Sequence, residues 1–272
     1  MRPDDHRSPS LFIQDIRNKE ALEEIVRAEE IDTCIHLAAK IDVAESVKNP
    51  GETIDVNIKG TYNILEACAN GGVKNFVFAS SSAVYGESKA LPISEEQQLN
   101  PLSPYGASKI AGEALVSSFC NTSKIQNGLS LRIFNVYGAG QSTKYAGVIA
   151  KFAERFSSRL PPVLYGDVSQ VRDFIFVEDV VNTILIATNG NKMEKASHEK
   201  VINVGTGRAI KITELAQTMA RIFAVEYNPI FAESKNGDII NSIADISKLK
   251  TILEYVPSND MEICLEKIFI DK

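Results

Sequence analysis

Four short apolar segments constrain the chain most. They are Leu11-Phe12-Ile13-Gln14, Thr33-Cys34-Ile35-His36-Leu37, Phe76-Val77-Phe78-Ala79 and Leu129-Ser130-Leu131-Arg132-Ile133-Phe134. Most run apolar at successive rather than alternate positions, which marks strands buried on both faces. Helical patterns separate them. Asn18 caps a helix predicted from Lys19 to about Glu30, with Leu22, Ile25 and Val26 inward. Pro50 opens a long pattern through Ile54, Ile58, Tyr62, Leu65 and Ala69, closed by Gly71-Gly72. Ser103-Pro104 opens a third helix, a capping serine with proline at the first position. Strands alternating with helices predict a doubly wound parallel sheet. Ligands of such sheets sit beyond the carboxyl ends of the strands. Asp15, Ala38-Ala39, Ser80-Ser81-Ser82 and Asn135 all fall there.

The second half changes rhythm. We expect a loop-rich stretch at 136–170 with one helix near 144–158. Then come a strand Phe174–Val177, a helix Glu178–Thr188 and a polar segment at 189–199. Val201–Val204 leads into Gly205-Thr206-Gly207, a two-glycine turn without the third glycine of a dinucleotide fingerprint. Thr213 is expected to cap a helix at 214–223, followed by a strand near 227–231 and helices at 245–254 and 260–268. This reads as a smaller lobe interleaved with the end of the sheet. The expected division is 1–140 and 141–272, with 171–207 partly returning to the main sheet.

The 272 residues suffice for such an arrangement. A net charge of −6 without a basic tract argues against nucleic acid as the partner. No apolar run approaches about 18 residues, so no membrane span is expected. The polar start carries no signal-peptide pattern. Cys34, Cys68, Cys120 and Cys264 show no metal spacing and read as free thiols of a reducing, cytoplasmic setting. The three histidines are too dispersed for a metal site, and His36 reads as a satisfied strand histidine.

Chemistry concentrates at Tyr105 and Lys109, four apart on one helix face. With eight tyrosines in the chain, such a pair arises by chance in roughly one chain of two. Its context of strand, serine run, loop and capped helix gives it meaning. A free tyrosine titrates near ~10, and lowering that by ~3 units takes roughly 4 kcal/mol. A buried ammonium one turn away is the expected source. A serine hydroxyl at the strand end could share the proton of a substrate alcohol. Together they form an acid/base device for a carbinol carbon.

The ordered motifs carry a resemblance. They are Asp15-Ile16-Arg17, His36-Leu37-Ala38-Ala39, Asn57-x-x-Gly60-Thr61, Ser80 through Gly86, Tyr105-x-x-x-Lys109, Leu131 through Gly138, Arg172 through Val180, and Asn203 through Gly207. Over nearly its whole length the chain resembles the extended short-chain dehydrogenase/reductases. Its nearest branch is the nucleotide-sugar epimerases and dehydratases, of the UDP-glucose 4-epimerase type. The resemblance implies a Rossmann-like domain with a smaller C-terminal substrate lobe. NAD is the implied cofactor, a nucleotide sugar the substrate, a homodimer the assembly, and 4-epimerisation through a 4-keto sugar the reaction.

The resemblance also assigns roles. Asp15 and Ile16 would meet the adenine. Leu37, Ala38 and Ala39 would line the dinucleotide, supported by Asn57, with Ser80 and Phe134 also on the cofactor side. Ser81, Tyr105 and Lys109 would be catalytic, Lys109 also holding the nicotinamide ribose. Ser81, Ser82, Tyr105, Asn135, Arg172, Lys235 and Asp238 would face the sugar nucleotide. Lys235 replaces the family's arginine and loses its bidentate geometry. Dehydratases of the branch carry Asp-Glu after the catalytic Ser/Thr. Ser82-Ala83 stand here, which favours epimerisation over dehydration; another nucleotide-sugar reaction of the family, dehydration, decarboxylation or reduction, is the alternative.

The chain departs from the family in one respect. No glycine precedes Gly51, so the Gly-rich turn of the family's first βαβ unit has no counterpart. A truncated chain is therefore expected, with an uncovered sheet edge and weakened pyrophosphate contacts. A non-catalytic protein that binds a nucleotide sugar or a subunit is the alternative.

Overall fold

The computed structural model describes residues 10–88, 90–141, 147–166, 168–233, 241–257 and 260–270. In chain order, α1 (Lys19–Ala28) leads to β1 (Thr33–His36). Helices α2 (Val43–Lys48), α3 (Pro50–Ile54) and α4 (Thr61–Asn70) precede β2 (Asn75–Ser81). Then come α5 (Pro104–Asn121), β3 (Asn127–Ile133), β4 (Asn135–Tyr137), α6 (Val148–Ser157), β5 (Val163–Tyr165), β6 (Val171–Arg172) and β7 (Phe174–Phe176). The chain continues through α7 (Val177–Ala187), α8 (Gly190–Glu199), β8 (Val201–Val204), β9 (Ile210–Lys211), α9 (Ile212–Ile222), β10 (Ile230–Ala232), β11 (Asn241–Ser242), α10 (Ser247–Ile252) and α11 (Met261–Phe269).

The main sheet is wholly parallel, in the order β1-β2-β3-β8. Its fold class is the one expected. Ser80 pairs in register with Arg132, and Arg132 with Asn203, so a row of polar side chains crosses three strands near the carboxyl ends. Past that end the chain enters β4, which pairs in parallel with β7. One core lies on β2, β3 and β8 and includes Val77, Leu129, Leu131, Ile202 and Met193. A second lies under α1, α4 and α5, with Leu65, Phe76, Phe78 and Val116. A third joins α6, α9 and α11 through Phe152, Phe156, Leu215, Met219 and Leu265.

Several boundaries differ from expectation for identifiable reasons. Leu11–Gln14 is not a strand. No strand pairs with it among the described residues, and Leu11 and Ile13 are 87% and 91% exposed. β1 pairs only with β2, so its other edge is open among the described residues. The long helix after Pro50 is interrupted by a π-helical turn at Asp55–Gly60, which buries Asn57. The polar segment at 189–199 is helix α8. Burying Met193 contributes roughly 2 kcal/mol, more than the propensity cost of Gly190 or Asn191 at about 1 kcal/mol or less each. Helix α9 starts at Ile212, before Thr213; Glu214 accepts from the Lys211 backbone N–H at 3.3 Å.

Candidate active site

The catalytic helix is set by its own sequence. Ser103 Oγ accepts from the Gly106 N–H at 3.2 Å, and Pro104 occupies the first turn. Two glycines let α5 press on the sheet end. A Cβ on Gly106 would stand 2.6 Å from the Ala83 carbonyl oxygen, and one on Gly112 would stand 2.3 Å from the Phe78 ring. That approach sets Tyr105 beside Ser81, the last residue of β2.

Lys109 is 4% exposed. Its Nζ donates to the Ala79 carbonyl at 2.8 Å, and stands 4.9 Å from the Phe78 ring centroid and 5.8 Å from that of Tyr105. Burial pushes Lys109 down to about 8, opposed by the charge of Glu113. Tyr105 is raised, because burial outweighs the Ser81 hydrogen bond. Tyr105 therefore lies above its ordinary value, against the expectation of a lowered one. Desolvation favours the neutral form of both groups.

The cofactor-side residues separate into open and committed ones. Leu37 is 58% exposed at the end of β1, Ala38 is exposed and Ala39 partly so. Asn57 is buried and grips the next residue. Its Oδ1 accepts from the Lys40 N–H at 2.7 Å, and its Nδ2 donates to the Lys40 carbonyl at 2.9 Å and to Ser108 Oγ at 2.9 Å. Asp15 is exposed and paired with Arg17, whose guanidinium holds it down at about 2. Ile16 instead packs inward against Gly60. Ser80 and Phe134 do not offer side chains to a ligand. Ser80 Oγ donates to Glu113 Oε1 at 2.5 Å, and the buried Phe134 ring packs near Tyr85. His36 is a satisfied core histidine, 3.0 Å from Thr61 Oγ1 and pushed down to about 4 by burial.

On the substrate side, Ser82 opens a short turn after Ser81. Asn135 Nδ2 donates to the Asp173 carbonyl at 2.8 Å. Asn135 and Arg172 line a cavity of about 540 Å³ together with Gln141, Lys151, Arg155 and Tyr165. Ser81, Tyr105 and Lys109 do not line it; Asn135, two residues past the partner of Ser81 in the register, stands between the two groups. Lys235 and Asp238 lie outside the described residues. The sequence reading missed Lys151 and Arg155, although their i, i+4 spacing on an amphipathic helix was available. It also missed Glu113 and Arg132, whose signal was two opposite charges inside apolar elements.

Among the described residues no group of three His, Cys, Asp or Glu could hold a metal, and no helix is long and apolar enough to cross a membrane. The four cysteines are free thiols, two buried and two partly buried.

Comparison with known proteins gives consistent relatives. The model of the NAD-dependent epimerase/dehydratase family matches residues 2–205. The UDP-glucose 4-epimerase of Lactobacillus helveticus is 30% identical over 260 residues, covering 90% of this chain and 78% of that one. The structure of the Thermotoga maritima UDP-glucose 4-epimerase with UDP-glucose superposes with a TM-score of 0.88 at 32% identity, covering 95% of this chain and 82% of that one. The UDP-N-acetylglucosamine 4-epimerase of Methanobrevibacter ruminantium, complexed with UDP-N-acetylmuramic acid, gives 0.86 at 31% identity over 96% and 81%. With the serine–tyrosine–lysine constellation at the carboxyl end of a parallel sheet, these matches place the chain in the NAD-dependent epimerase/dehydratase family.

Proposed function

We propose that this protein is a cytoplasmic NAD-dependent nucleotide-sugar 4-epimerase, interconverting UDP-glucose and UDP-galactose. The carrying observation is the placement of Tyr105 beside Ser81 at the end of β2, with the Lys109 amine 5.8 Å from the Tyr105 ring. Relatives of similar identity are named for different UDP-sugars, so the choice of glucose and galactose is part of the proposal.

The residues present fit the cofactor on its nicotinamide side. Leu37, Ala38 and Ala39 would line the cofactor, Asn57 fixes the loop beside them, and Lys109 would hold the ribose. Asp15 would meet the adenine, while the Ile16 side chain packs on Gly60 beneath it. A bound NAD would supply the reversible hydride transfer at C4 of the sugar. Tyr105 removes the C4 hydroxyl proton through Ser81 and gives it back. With Lys109 titrating at about 8, most of it is ammonium at pH 7, and that charge favours the Tyr105 phenolate. Arg172, Lys151 and Arg155 offer positive charge to a diphosphate. The 540 Å³ beside them suits a nucleotide sugar's size class.

We also propose a homodimer through α3, α4 and α5. Ile54 and Tyr62 on that face are 51% and 40% exposed. Sedimentation at micromolar concentration is expected to give twice the chain mass.

The test is direct. Purified protein supplied with NAD should convert UDP-galactose to UDP-glucose, and Tyr105→Phe should lower kcat by about 10²–10⁴-fold without unfolding. Absence of bound NAD at millimolar supply, or full activity in Tyr105→Phe, would overturn the reading.

A further inference from the structure

One helical turn beyond Lys109, α5 carries Glu113, 8% exposed. Both carboxylate oxygens are occupied. Oε1 accepts from Ser80 Oγ at 2.5 Å and from Arg132 Nε at 2.9 Å; Oε2 accepts from Arg132 Nη2 at 2.8 Å. Arg132 Nη1 continues to Tyr85 Oη at 3.0 Å, and that hydroxyl donates to Asn203 Oδ1 at 2.6 Å. One carboxylate thus ties the residue before Ser81 on β2, the helix of Tyr105 and Lys109, and the neighbouring strand β3. A buried ion pair of this kind adds little stability over an apolar replacement of the same shape. Its placement beside the acid/base pair is the more informative property.

Among the described residues, the charged and titratable groups around Lys109 come from three elements. Tyr105 and Glu113 come from its own helix. His36 comes from β1 and is neutral at physiological pH. Arg132 comes from β3, paired to Glu113. The ring of Phe78 and the Ala79 carbonyl complete the surroundings from β2. Glu113 is therefore the anion that opposes the desolvation of Lys109.

We propose that Glu113 is a positioning residue. It clamps the end of β2 and strand β3 onto the catalytic helix, and its carboxylate keeps the Lys109 amine charged. The proposal rests on Tyr105 and Lys109 being the acid/base pair. Removing the carboxylate acts twice. It deletes the anion one turn from Lys109, and it frees Ser80, which neighbours Ser81.

The test is a titration of Lys109 by carbon NMR in protein labelled at the lysine Cε, the signal assigned with Lys109→Arg. Glu113→Gln is expected to move the Lys109 midpoint down by about one unit. The alkaline limb of kcat should move with it, while KM for the UDP-sugar changes little. Glu113→Gln leaves Arg132 unpaired and could unfold the protein, so Glu113→Gln/Arg132→Met is measured alongside. It removes the carboxylate without leaving Arg132 unpaired and should show a smaller downward shift, because the Arg132 charge leaves with it. Glu113→Asp, with the charge kept on a shorter arm, should restore most of the midpoint but not the full kcat. An unchanged Lys109 midpoint in the folded double variant overturns the proposal. Should the wild type epimerise no UDP-hexose while the midpoint still moves, the reaction assignment fails and the role of Glu113 toward Lys109 stands.

Discussion

Asn57 binds the backbone of Lys40 at both ends of its side-chain amide, accepting from the N–H at 2.7 Å and donating to the carbonyl at 2.9 Å. The amide thereby binds the backbone just past the end of β1, and it holds the Ala38-Ala39 segment in place from a buried π-helical turn. Asn57→Ala is expected to lower stability by about 1–3 kcal/mol, since Lys40 loses both bonds and Ser108 loses its donor. Urea unfolding measures that loss. Calorimetry should also show NAD binding weakened by about tenfold as the loop loosens, roughly 1.4 kcal/mol.

Gly112 sets how closely α5 can lie on β2. A methyl group there would stand 2.3 Å from the Phe78 ring, which is itself 2% exposed. The ring has no free space to move into, so Gly112→Ala should cost about 1–3 kcal/mol by overpacking despite alanine's better helix propensity of about 1 kcal/mol. Thermal unfolding gives the sign. A stabilised variant would mean that the helix can retreat from the sheet.

How much was readable in advance depended on which partner each residue needed. Ser103, Pro104 and the apolar run of β2 act locally, so helix α5 and its strand were legible from spacing alone. Leu11–Gln14 misled because an apolar run becomes a strand only beside another strand, and none pairs with it among the described residues. The segment at 189–199 misled the other way, since the burial of Met193 and Ala196 is decided by α7, α10 and β3 rather than by its polar composition. In the site, Tyr105 and Lys109 were visible as a pair, but the direction of their titration was not. Desolvation is a property of packing, and the sequence supplied only the charges.

Arg172 lines the cavity at the end of β6, with its Nη1 donating to the Val171 carbonyl at 3.0 Å. A guanidinium can present two parallel donors to a phosphate and an ammonium cannot. Arg172→Lys is expected to raise KM for UDP-galactose by roughly tenfold, about 1.4 kcal/mol, with kcat within about twofold. Initial-rate kinetics separate the two. A fall in kcat at constant KM would assign Arg172 to the reacting sugar instead of the diphosphate.

His36 makes the fold sensitive to acid. Its folded value of about 4 lies below the ordinary 6.5, because a buried ring beside Lys109 resists protonation. Above 6.5 both states are neutral and nothing is lost. As pH falls from 6.5 toward 4, the unfolded chain takes up the proton first, and stability drops by about 2 kcal/mol at pH 5. His36→Gln lacks this titration. The stability advantage of the wild type over His36→Gln should shrink by that amount between pH 7.5 and 5.

Lys109 works in the alkaline range. Its folded value of about 8 is below the ordinary 10.5, so the native state releases its proton first as pH rises. Between 8 and 10.5 the unfolded chain holds more protons, and folding is strengthened with rising pH through this group. Activity moves the opposite way, because the phenolate of Tyr105 needs the ammonium beside it. The plot of log kcat against pH should therefore fall above about 8 while the protein becomes no less stable. Lys109→Arg keeps a charge that does not titrate below about pH 12, so its residual activity should lose that alkaline fall. Lys109→Met should lower kcat by about 10²-fold or more across the whole range. An alkaline limb surviving in Lys109→Arg would assign the titration to another group, with Tyr105 the first to examine.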